Sequence, residues 1–296
     1  MDRFYIISNP LKDGEQKTAN FIKSYLEERG KHCVVDAGDG KTITDGKTIT
    51  DGKTITDGYT DASRVDPRTD CVIVLGGDGT LLQAAVDLSE MSVPFLGINM
   101  GTLGFLAEVN VSDMELALDR LIEGSYEIEN RMMLFGESYG SQGKKDQAQA
   151  LNDIVITRKG SLQIIYFNIY VNGQFLHRYH ADGIIVATPT GSTGYSLSAG
   201  GPIVEPGANL LLISPICPHS MHSRSIVLSP EDKVTVEIES SRDGAVQEVE
   251  AIFDGSHKVS LKTHDRVEIR KSEKTTGIVK LDKVSFLEIL HRKMSD

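Results

Sequence analysis

Cysteine is scarce in this chain, and its three cysteines are far apart: Cys33, Cys71 and Cys217. An odd number of widely separated cysteines is not typical of a disulfide-linked secreted protein, so we expect reduced thiols and a cytoplasmic location. His219 and His222 lie close to Cys217 in the sequence. No Cys-x-x-Cys or His-Glu-x-x-His spacing accompanies them, and we therefore expect no metal ion held by the protein itself.

Long apolar runs and a positive net charge are missing as well. No stretch reaches the ~18 apolar residues that a membrane-spanning helix needs, and the N-terminus lacks the layout of a signal peptide. The 296 residues carry a formal net charge of −11, which argues against a broad nucleic-acid-binding surface. We expect a soluble enzyme that binds neither membranes nor nucleic acid. Any anionic ligand must then be held by local N–H groups and a few cations.

Glycine, by contrast, is abundant, and a first glycine-rich run reads Gly76-Gly77-Asp78-Gly79-Thr80. It follows an apolar strand-like stretch at 71–75 and precedes a predicted helix over 81–88. A strand that turns into a helix through glycines presents backbone N–H groups and a helix dipole, which favour phosphate. A carboxylate repels phosphate, so Asp78 indicates a further role such as accepting a proton from a hydroxyl group. The simpler alternative is a tight turn with Asp78 as the helix cap.

The second run extends from Asp182 to Pro202 and combines glycines with serine and threonine hydroxyls. It contains a predicted strand at 184–187, and such dense glycine beside a strand indicates close approach of the backbone to a ligand. Tyr195 offers a flat ring for a nucleotide base. A flexible linker is the alternative, but isoleucine, valine, leucine and two prolines are interleaved here. The run therefore favours a binding site for a polar ligand.

Predicted strands alternate with predicted helices from Phe4 to about Ser125, which is typical of a parallel α/β sheet. From about Ile128 to Lys280 the pattern is β throughout, with turn signals at Asn172-Gly173, Asp243-Gly244 and Asp254-Gly255. This pattern predicts a β-sandwich-like second domain. A short helix over 285–293 is expected to pack back on the first domain.

Residues 39–56 repeat the hexapeptide Asp-Gly-Lys-Thr-Ile-Thr three times and are followed by Asp57-Gly58. Gly-Lys-Thr is part of the P-loop motif, but five residues lie between Gly40 and Gly46, which is too many for that motif. No strand leads into the repeat and no helix follows it. We expect a solvated loop or a frayed hairpin without a catalytic role.

Four motifs together resemble the NAD kinase family, and they occur in the family's order: Gly76–Thr80, Gly97–Leu106, Leu151–Asp153 and Asp182–Pro202. Two later segments, Pro218–Ser220 and Arg224–Leu228, are similar as well. The first motif alone also occurs in lipid kinases and phosphofructokinases, whereas the segment from Thr188 to Pro202 is specific. The resemblance covers the chain from about Phe4 to Leu290.

The resemblance implies a Rossmann-like α/β domain over residues 1–126, which includes the 39–58 repeat, and a β-sandwich-like dinucleotide-binding domain over 127–280. Residues 281–296 would return to the first domain as a C-terminal helix. The implied activity is transfer of the γ-phosphoryl group of ATP, with Mg²⁺ arriving bound to ATP, to the 2′-hydroxyl of the adenosine ribose of NAD. The family usually forms homodimers or homotetramers.

The resemblance also assigns residues to these tasks. Asp78 would be the general base, and the donor phosphates would be held by Gly76, Gly77, Gly79 and Thr80. Residues that would bind NAD are Asp78, Gly79, Phe105, Asn152, Asp153, His180, Asp182, Thr193, Gly194, Tyr195, Ser196, Leu197 and Ser198.

Four positions depart from the family's usual residues. Asp153 stands where glutamate is usual, His180 where many members have lysine or arginine, Gly194 where alanine is usual, and His257 where glutamine is frequent. Two other functions use parts of the same pattern. One is a kinase of a different hydroxyl acceptor, a lipid or a sugar, and the other is a dinucleotide-binding regulator without catalysis. A pure binding protein has no use for the Asp78 carboxylate beside phosphates, which favours the enzyme.

Overall fold

The structure is a computed structural model that describes residues 1–36, 43–44, 47–50, 53–55, 60–101, 104–160, 164–220, 223–281 and 285–295. The chain divides into two compact units. Unit 1 comprises Met1–Arg131 and Thr275–Asp296, and unit 2 comprises Met132–Lys274. Unit 1 is therefore built from both ends of the chain.

Strands and helices alternate in the first part of unit 1, as the sequence predicts. The elements are β1 (Arg3–Ser8), α1 (Lys17–Glu27), β2 (His32–Val35), β3 (Ile43–Thr44), β4 (Lys47–Thr50), β5 (Lys53–Ile55), β6 (Cys71–Gly76), α2 (Asp78–Asp87), β7 (Phe95–Asn99), β8 (Val109–Asn110) and α3 (Met114–Glu123). Strands β2, β1, β6, β7 and β8 pair in this order, and every pair is parallel.

Apolar periodicity explains why these segments take these forms. Every residue of β6 and of β7 is buried, which is typical of central strands covered on both faces. Helix α1 buries Ala19, Ile22 and Leu26, three residues on one face, against the core that these strands form. Helix α3 ends at Gly124, whose φ of 78° is left-handed and suits glycine. The central strands are thus rigid, and the segments after them are held in place.

The hexapeptide repeat forms a small antiparallel sheet. Strands β3, β4 and β5 pair in sequence, with Ile43 opposite Thr48 and Thr48 opposite Ile55. The expected hairpin is confirmed for the backbone of these strands. The remaining residues of the expected 39–58 loop lie outside the described residues.

Unit 2 is antiparallel β structure with one short helix. Its elements are β9 (Glu127–Gly140), which begins in unit 1, then β10 (Gly143–Ala150), β11 (Asp153–Arg158), β12 (Ile165–Val171), β13 (Gln174–Ala181), β14 (Gly183–Ala187), α4 (Tyr195–Ser198), β15 (Leu211–Ile216), β16 (Ile226–Leu228), β17 (Val234–Ile238), β18 (Glu248–Phe253), β19 (His257–Lys262) and β20 (Arg266–Lys280).

Two sheets enclose the core of unit 2. One runs β16-β15-β14-β11-β18-β19, and the other includes β13-β12-β17-β20. A single buried cluster draws Ile154 and Val186 from the first sheet and Phe167 and Val236 from the second. Two antiparallel sheets that share one apolar core form a β-sandwich, and the expected fold of the second domain is confirmed.

The end of the chain returns to unit 1. The last part of β20 pairs with β7 in parallel, with Ile278 opposite Phe95, and helix α5 (Phe286–Ser295) follows. Ile289 is buried, and the ring of Phe286 lies 6.1 Å from the ring of Phe105. The expected C-terminal helix on the first domain is confirmed. None of the helices in the described parts of the chain is long and apolar enough to cross a membrane.

We predict that deleting residues 45–50, one copy of the hexapeptide, changes the free energy of unfolding by less than about 1 kcal/mol. The loop-closure entropy depends only weakly on loop length, and the two remaining copies can still pair as neighbouring copies do now. Urea denaturation of both proteins measures the difference. A loss of several kcal/mol would contradict this and would mean that the repeat is part of the core of unit 1.

Candidate active site

Three adjacent parallel strands of unit 1 bring the first glycine run to one edge of the sheet. Strands β1, β6 and β7 lie side by side, so the segments after their carboxyl ends lie together. The N–H of Asn9 donates to the carbonyl of Leu75 (2.9 Å), and the N–H of Met100 donates to that of Gly76 (2.7 Å). The Asn9 side chain also donates to the Thr80 hydroxyl (3.1 Å). The glycine run is thereby attached to the segments on both sides of it.

Helix α2 begins within the glycine run. Gly77 is its N-cap, Asp78 is its first residue, and no side chain caps it. The predicted start at residue 81 was therefore three residues late, and the alternative that Asp78 is the helix cap is wrong. The first N–H groups of a helix have no carbonyl partner within it, so those of Asp78 and Gly79 face outward with the positive end of the helix dipole. This arrangement favours an anion.

The Asp78 carboxylate accepts hydrogen bonds from three consecutive backbone N–H groups. Phe105 donates to Oδ2 at 2.7 Å, and Leu106 and Ala107 both donate to Oδ1 at 3.0 Å. A Cβ atom on Gly104 would lie 1.8 Å from Oδ1, so only glycine fits there. Asp78 therefore fixes the turn from Gly104 to Ala107. A carboxylate has about four acceptor positions, and these contacts leave one of them, on Oδ2, open.

Phe105, the residue that the family resemblance places near adenine, lies in unit 1 next to helix α5. Its ring is half-buried and contacts the ring of Phe286 at 6.1 Å between centroids. The ammonium of Lys293 lies 5.0 Å from the Phe105 ring centroid, a cation–π distance.

A second carboxylate has the same bonding pattern in unit 2. Asp254 accepts N–H groups from Leu151 at 2.6 Å, Asn152 at 2.9 Å and Asp153 at 3.0 Å. In the sequence, Asp254-Gly255 is a signal for a turn only. The turn is present, and the φ angle of Asp254 is 45°. Asp254 thus holds the Asn152–Asp153 motif in place. No sequence signal indicated this contact, which joins residues more than a hundred positions apart.

Asp153 and Asp254 form an electrostatically coupled pair. Burial, reinforced by the negative charge of Asp254, raises the pKa of Asp153 to about 7. Burial also raises the pKa of Asp254 to about 6, against the opposing effect of its three N–H donors. Because those donors favour the ionised form of Asp254, we assign the proton of the pair to Asp153. Near neutral pH, Asp153 can therefore donate a hydrogen bond.

The second glycine run is ordered and packs against the Asn152–Asp153 motif. After β14 the chain forms a 3₁₀ turn at Thr190–Thr193 and then α4, so the flexible-linker alternative is wrong. The Thr188 hydroxyl donates to the carbonyl of Leu151 (2.6 Å), and the Thr188 N–H donates to that of Asn152 (2.9 Å).

Glycines permit the close contact between the run and the motif. A Cβ atom on Gly191 would lie 2.1 Å from the Asn152 carbonyl oxygen, so alanine does not fit there. A Cβ atom on Gly194 would instead lie 3.5 Å from the Asn152 amide nitrogen and 3.9 Å from a carboxyl oxygen of Asp153. The structure thus brings Asn152, Asp153, Thr193 and Gly194 together.

Two buried oxygens near this contact, Oδ1 of Asn152 and Oγ1 of Thr190, have no hydrogen-bond partner among the described residues. An unpaired buried polar group costs roughly 1–3 kcal/mol, so such groups usually await a ligand or water. Thr190 was not among the residues assigned from the sequence. Thr190 directly precedes Gly191, which packs against the Asn152 backbone, so we add Thr190 to the candidate site.

The other assigned residues of the second run differ in exposure. Tyr195, Leu197 and Ser198 are exposed, and Tyr195 keeps 49% of its surface accessible. Ser196 is buried, and its hydroxyl lies 3.3 Å from that of Ser214 on β15. This contact is available to hold α4 on the sheet, whereas the exposed residues are available to a ligand.

His180 and Asp182 lie at the end of β13 and just after it. The His180 ring stacks on the Tyr166 ring at 4.4 Å, and partial desolvation, together with the charge of Arg178, lowers the pKa of His180. At neutral pH His180 is therefore neutral and does not supply the positive charge that the family's usual lysine or arginine would. The Asp182 carboxylate pairs with Arg158 at 3.6 Å.

The described residues contain no group of three or more histidine, cysteine, aspartate or glutamate side chains that could hold a metal ion. The expected Mg²⁺ is one that arrives bound to ATP. His222 lies outside the described residues.

Comparison with known protein families decides the family. The family described as the ATP-NAD kinase N-terminal domain matches residues 4–126, and the ATP-NAD kinase C-terminal domain matches residues 151–281. The chain belongs to the NAD kinase family. This membership favours the NAD kinase interpretation over the lipid or sugar kinase.

Relatives match over the whole length of the chain. An NAD kinase from Lachnospira eligens is 41% identical over 99% of this chain and 100% of its own. An NAD kinase from Agathobacter rectalis is 43% identical over 100% of this chain and 99% of its own.

Solved structures share the fold. Yeast NADH kinase in complex with NADH has a TM-score of 0.81 at 24% identity and covers 100% of this chain and 88% of its own. An NAD kinase from Archaeoglobus fulgidus in complex with ATP has a TM-score of 0.76 at 24% identity, covering 99% of both chains. At this identity the likeness concerns the fold alone.

We predict unequal effects from two alanine substitutions in the second run. Gly191→Ala places a methyl group against the Asn152 backbone and should destabilise the protein by at least about 1–3 kcal/mol. Gly194→Ala meets one tight contact, 3.3 Å from its Cβ atom to the Gly191 carbonyl oxygen, and should cost less than about 1 kcal/mol. Urea denaturation tests both, with each variant as the other's control. Equal losses would show that the run is not packed as described.

We predict that stability depends on pH through Asp153. Its pKa is raised from 3.8 to about 7 on folding, so its favourable contribution is complete below about pH 4 and is lost as pH rises through about 7. Relative to wild type, Asp153→Asn should therefore gain at least about 1 kcal/mol of unfolding free energy between pH 5 and 8, since one pKa unit is worth about 1.4 kcal/mol. Exposed Asp113→Asn serves as the control and should track wild type. A constant difference for Asp153→Asn would contradict the assignment of the proton.

Proposed function

We propose that the protein transfers the γ-phosphoryl group of ATP to the 2′-hydroxyl of the adenosine ribose of NAD, giving NADP and ADP. The observation that carries the proposal is the Asp78 carboxylate, which lies in the first turn of a phosphate-favouring helix and keeps one acceptor position open. Family membership and full-length relatives named NAD kinase support the choice of donor and acceptor.

We assign the donor side to residues 1–126. The outward N–H groups at the start of α2, with Gly76, Gly77, Gly79 and Thr80, bind the donor phosphates of ATP. Mg²⁺ enters bound to ATP as part of that substrate and neutralises phosphate charge. Phosphoryl transfer depends mainly on alignment and on charge stabilisation, and the attachments of this run to its neighbours supply the alignment.

We assign the acceptor side mainly to residues 127–280. Among the described residues, Oδ1 of Asn152 and Oγ1 of Thr190 are buried without a hydrogen-bond partner. Oδ1 of Asn152 can accept a hydrogen bond from the ligand, and protonated Asp153 can donate one. These groups suit the adenosine half of NAD, with the exposed ring of Tyr195 available for stacking. The same run contributes Thr193, Gly194, Leu197 and Ser198 to the NAD site. We assign His180 and Asp182 to the remainder of the dinucleotide. Phe105 and Gly79 complete the set from the first domain.

The chemistry requires one proton acceptor. The ribose hydroxyl gives its proton to the open position on Oδ2 of Asp78, its oxygen forms the new bond to the γ-phosphorus, and ADP leaves with the electrons of the broken bond. A positioned general base accelerates such a step by ~10²–10⁴-fold. The three N–H donors hold the carboxylate in a fixed orientation for this task.

We further propose a cytoplasmic homodimer or homotetramer. Three widely spaced cysteines support the location, since Cys33 and Cys71 are both buried as free thiols. The assembly is supported by the resemblance to the family. Size-exclusion chromatography with light scattering measures it.

The proposal predicts the behaviour of Asp78→Asn. Turnover of NAD with ATP, measured as NADP and ADP formation, should fall by two or more orders of magnitude because the amide is not a base. Asp87→Asn is the matched control: Asp87 is a carboxylate at the other end of α2 that also accepts a backbone N–H, from Thr60 at 3.1 Å. It should keep kcat within about threefold.

The same variants separate catalysis from support of the turn. Asn at position 78 also loses part of the hydrogen bonding to residues 105–107, so the unfolding free energy and NAD affinity must be measured together with kcat. A large fall in kcat with NAD affinity retained supports the general base. Near-normal kcat, or a fall matched by equal losses of NAD affinity and stability, contradicts it.

A further inference from the structure

Lys12, in the turn after β1, was not among the residues assigned from the sequence. Its ammonium lies close to two glycines of the phosphate-favouring edge: a Cβ atom on Gly77 would be 3.2 Å from Lys12 Nζ, and one on Gly101 would be 3.3 Å away. Gly77 is the N-cap of α2, and Gly101 follows β7. The side chain therefore extends from the first of the three strand ends across the other two.

The turn that carries Lys12 is fixed rather than free. The N–H groups of Lys12 and Asp13 donate to the Asn9 carbonyl at 3.0 and 2.9 Å, and the Leu11 N–H donates to the Asn9 side-chain oxygen at 3.0 Å. The Asn9 amide in turn donates to the Thr80 hydroxyl. Asn9 thus ties the Lys12 turn directly to the glycine run.

Lys12 has no carboxylate partner among the described residues, unlike its neighbours. Lys17 pairs with Glu15 at 3.1 Å and Lys31 with Asp2 at 2.7 Å. The unpaired ammonium of Lys12 lies beside the positive end of the α2 dipole. Lys12 is exposed, so water weakens the repulsion between these two positive groups, and an anion between them would be attracted by both.

We propose that Lys12 binds the phosphate chain of the nucleoside triphosphate donor. Its ammonium contacts the same phosphates as the outward N–H groups of α2 and neutralises charge on the γ-phosphoryl oxygens as that group moves to the acceptor. This inference rests on the proposed function for the identity of the donor. It adds a cation that neither glycine run contains.

The test uses the full-length protein and three variants. Lys12→Met keeps the aliphatic stem and removes the charge, Lys12→Arg keeps the charge, and Lys17→Met removes an exposed cation five positions away. For each, kcat and the KM values for ATP and NAD are measured. Calorimetry at low salt measures the affinity for inorganic tripolyphosphate, a probe that needs no turnover.

Loss of a hydrogen bond to a charged group lowers affinity by about tenfold to a hundredfold. We expect Lys12→Met to lower kcat/KM for ATP and the affinity for tripolyphosphate by that range, while KM for NAD stays within about twofold. Lys12→Arg should recover most of the loss, and Lys17→Met should match wild type. The melting temperature of Lys12→Met should equal or exceed that of wild type, because Lys12 has no carboxylate partner among the described residues and its charge is repelled by the α2 dipole.

Two results would overturn the proposal: unchanged values for both ATP and tripolyphosphate in Lys12→Met, or a larger effect on NAD than on ATP. Failure of the proposed function is recognised separately. If the wild-type protein forms no NADP from NAD and ATP, that function is wrong, and the tripolyphosphate affinities of wild type and Lys12→Met still decide whether Lys12 binds a phosphate chain.

Discussion

The structure depends on one interaction that occurs twice, a carboxylate that accepts three consecutive backbone N–H groups from a distant segment. Asp78 holds residues 105–107 in unit 1, and Asp254 holds residues 151–153 in unit 2. In both cases a glycine follows the aspartate in the sequence. Charged acceptors make stronger hydrogen bonds than neutral ones, so each carboxylate fixes the backbone of the segment that it holds. The assigned residues Phe105, Asn152 and Asp153 lie on these segments.

Each unit contains polar groups without a partner among the described residues. In unit 1 these are the outward N–H groups of α2 and the Lys12 ammonium, and in unit 2 they are the oxygens of Asn152 and Thr190. The groups of unit 1 suit a phosphate chain, and those of unit 2 suit a ligand with hydroxyl or amino groups. This chemistry agrees with the family membership.

The sequence predicted what short-range patterns determine and missed what distant contacts determine. Apolar alternation located the central strands, such as 71–75, and glycine spacing located both binding runs. The start of α2 was misplaced because Gly79 has low helix propensity, whereas the end of β6 and the Asp78 contacts impose the helix there. The long strands β9 and β20 were not resolved as single elements because much of their sequence is polar. Asp254 and Lys12 gave no local signal, since the segments that lie beside them in the fold are far away in the chain.

The connectivity of unit 1 has a consequence for biosynthesis. Strand β7 pairs with Ile278, and helix α5 supplies Phe286 beside Phe105, so unit 1 needs residues from the last tenth of the chain. Unit 2 is continuous from Met132 to Lys274, so all of it is synthesised before the last segment of unit 1. Domains generally fold as units during synthesis. Synthesis of unit 1 thus starts first and ends last. In a nascent chain that lacks its C-terminal residues, the phosphate-binding edge belongs to an incomplete sheet.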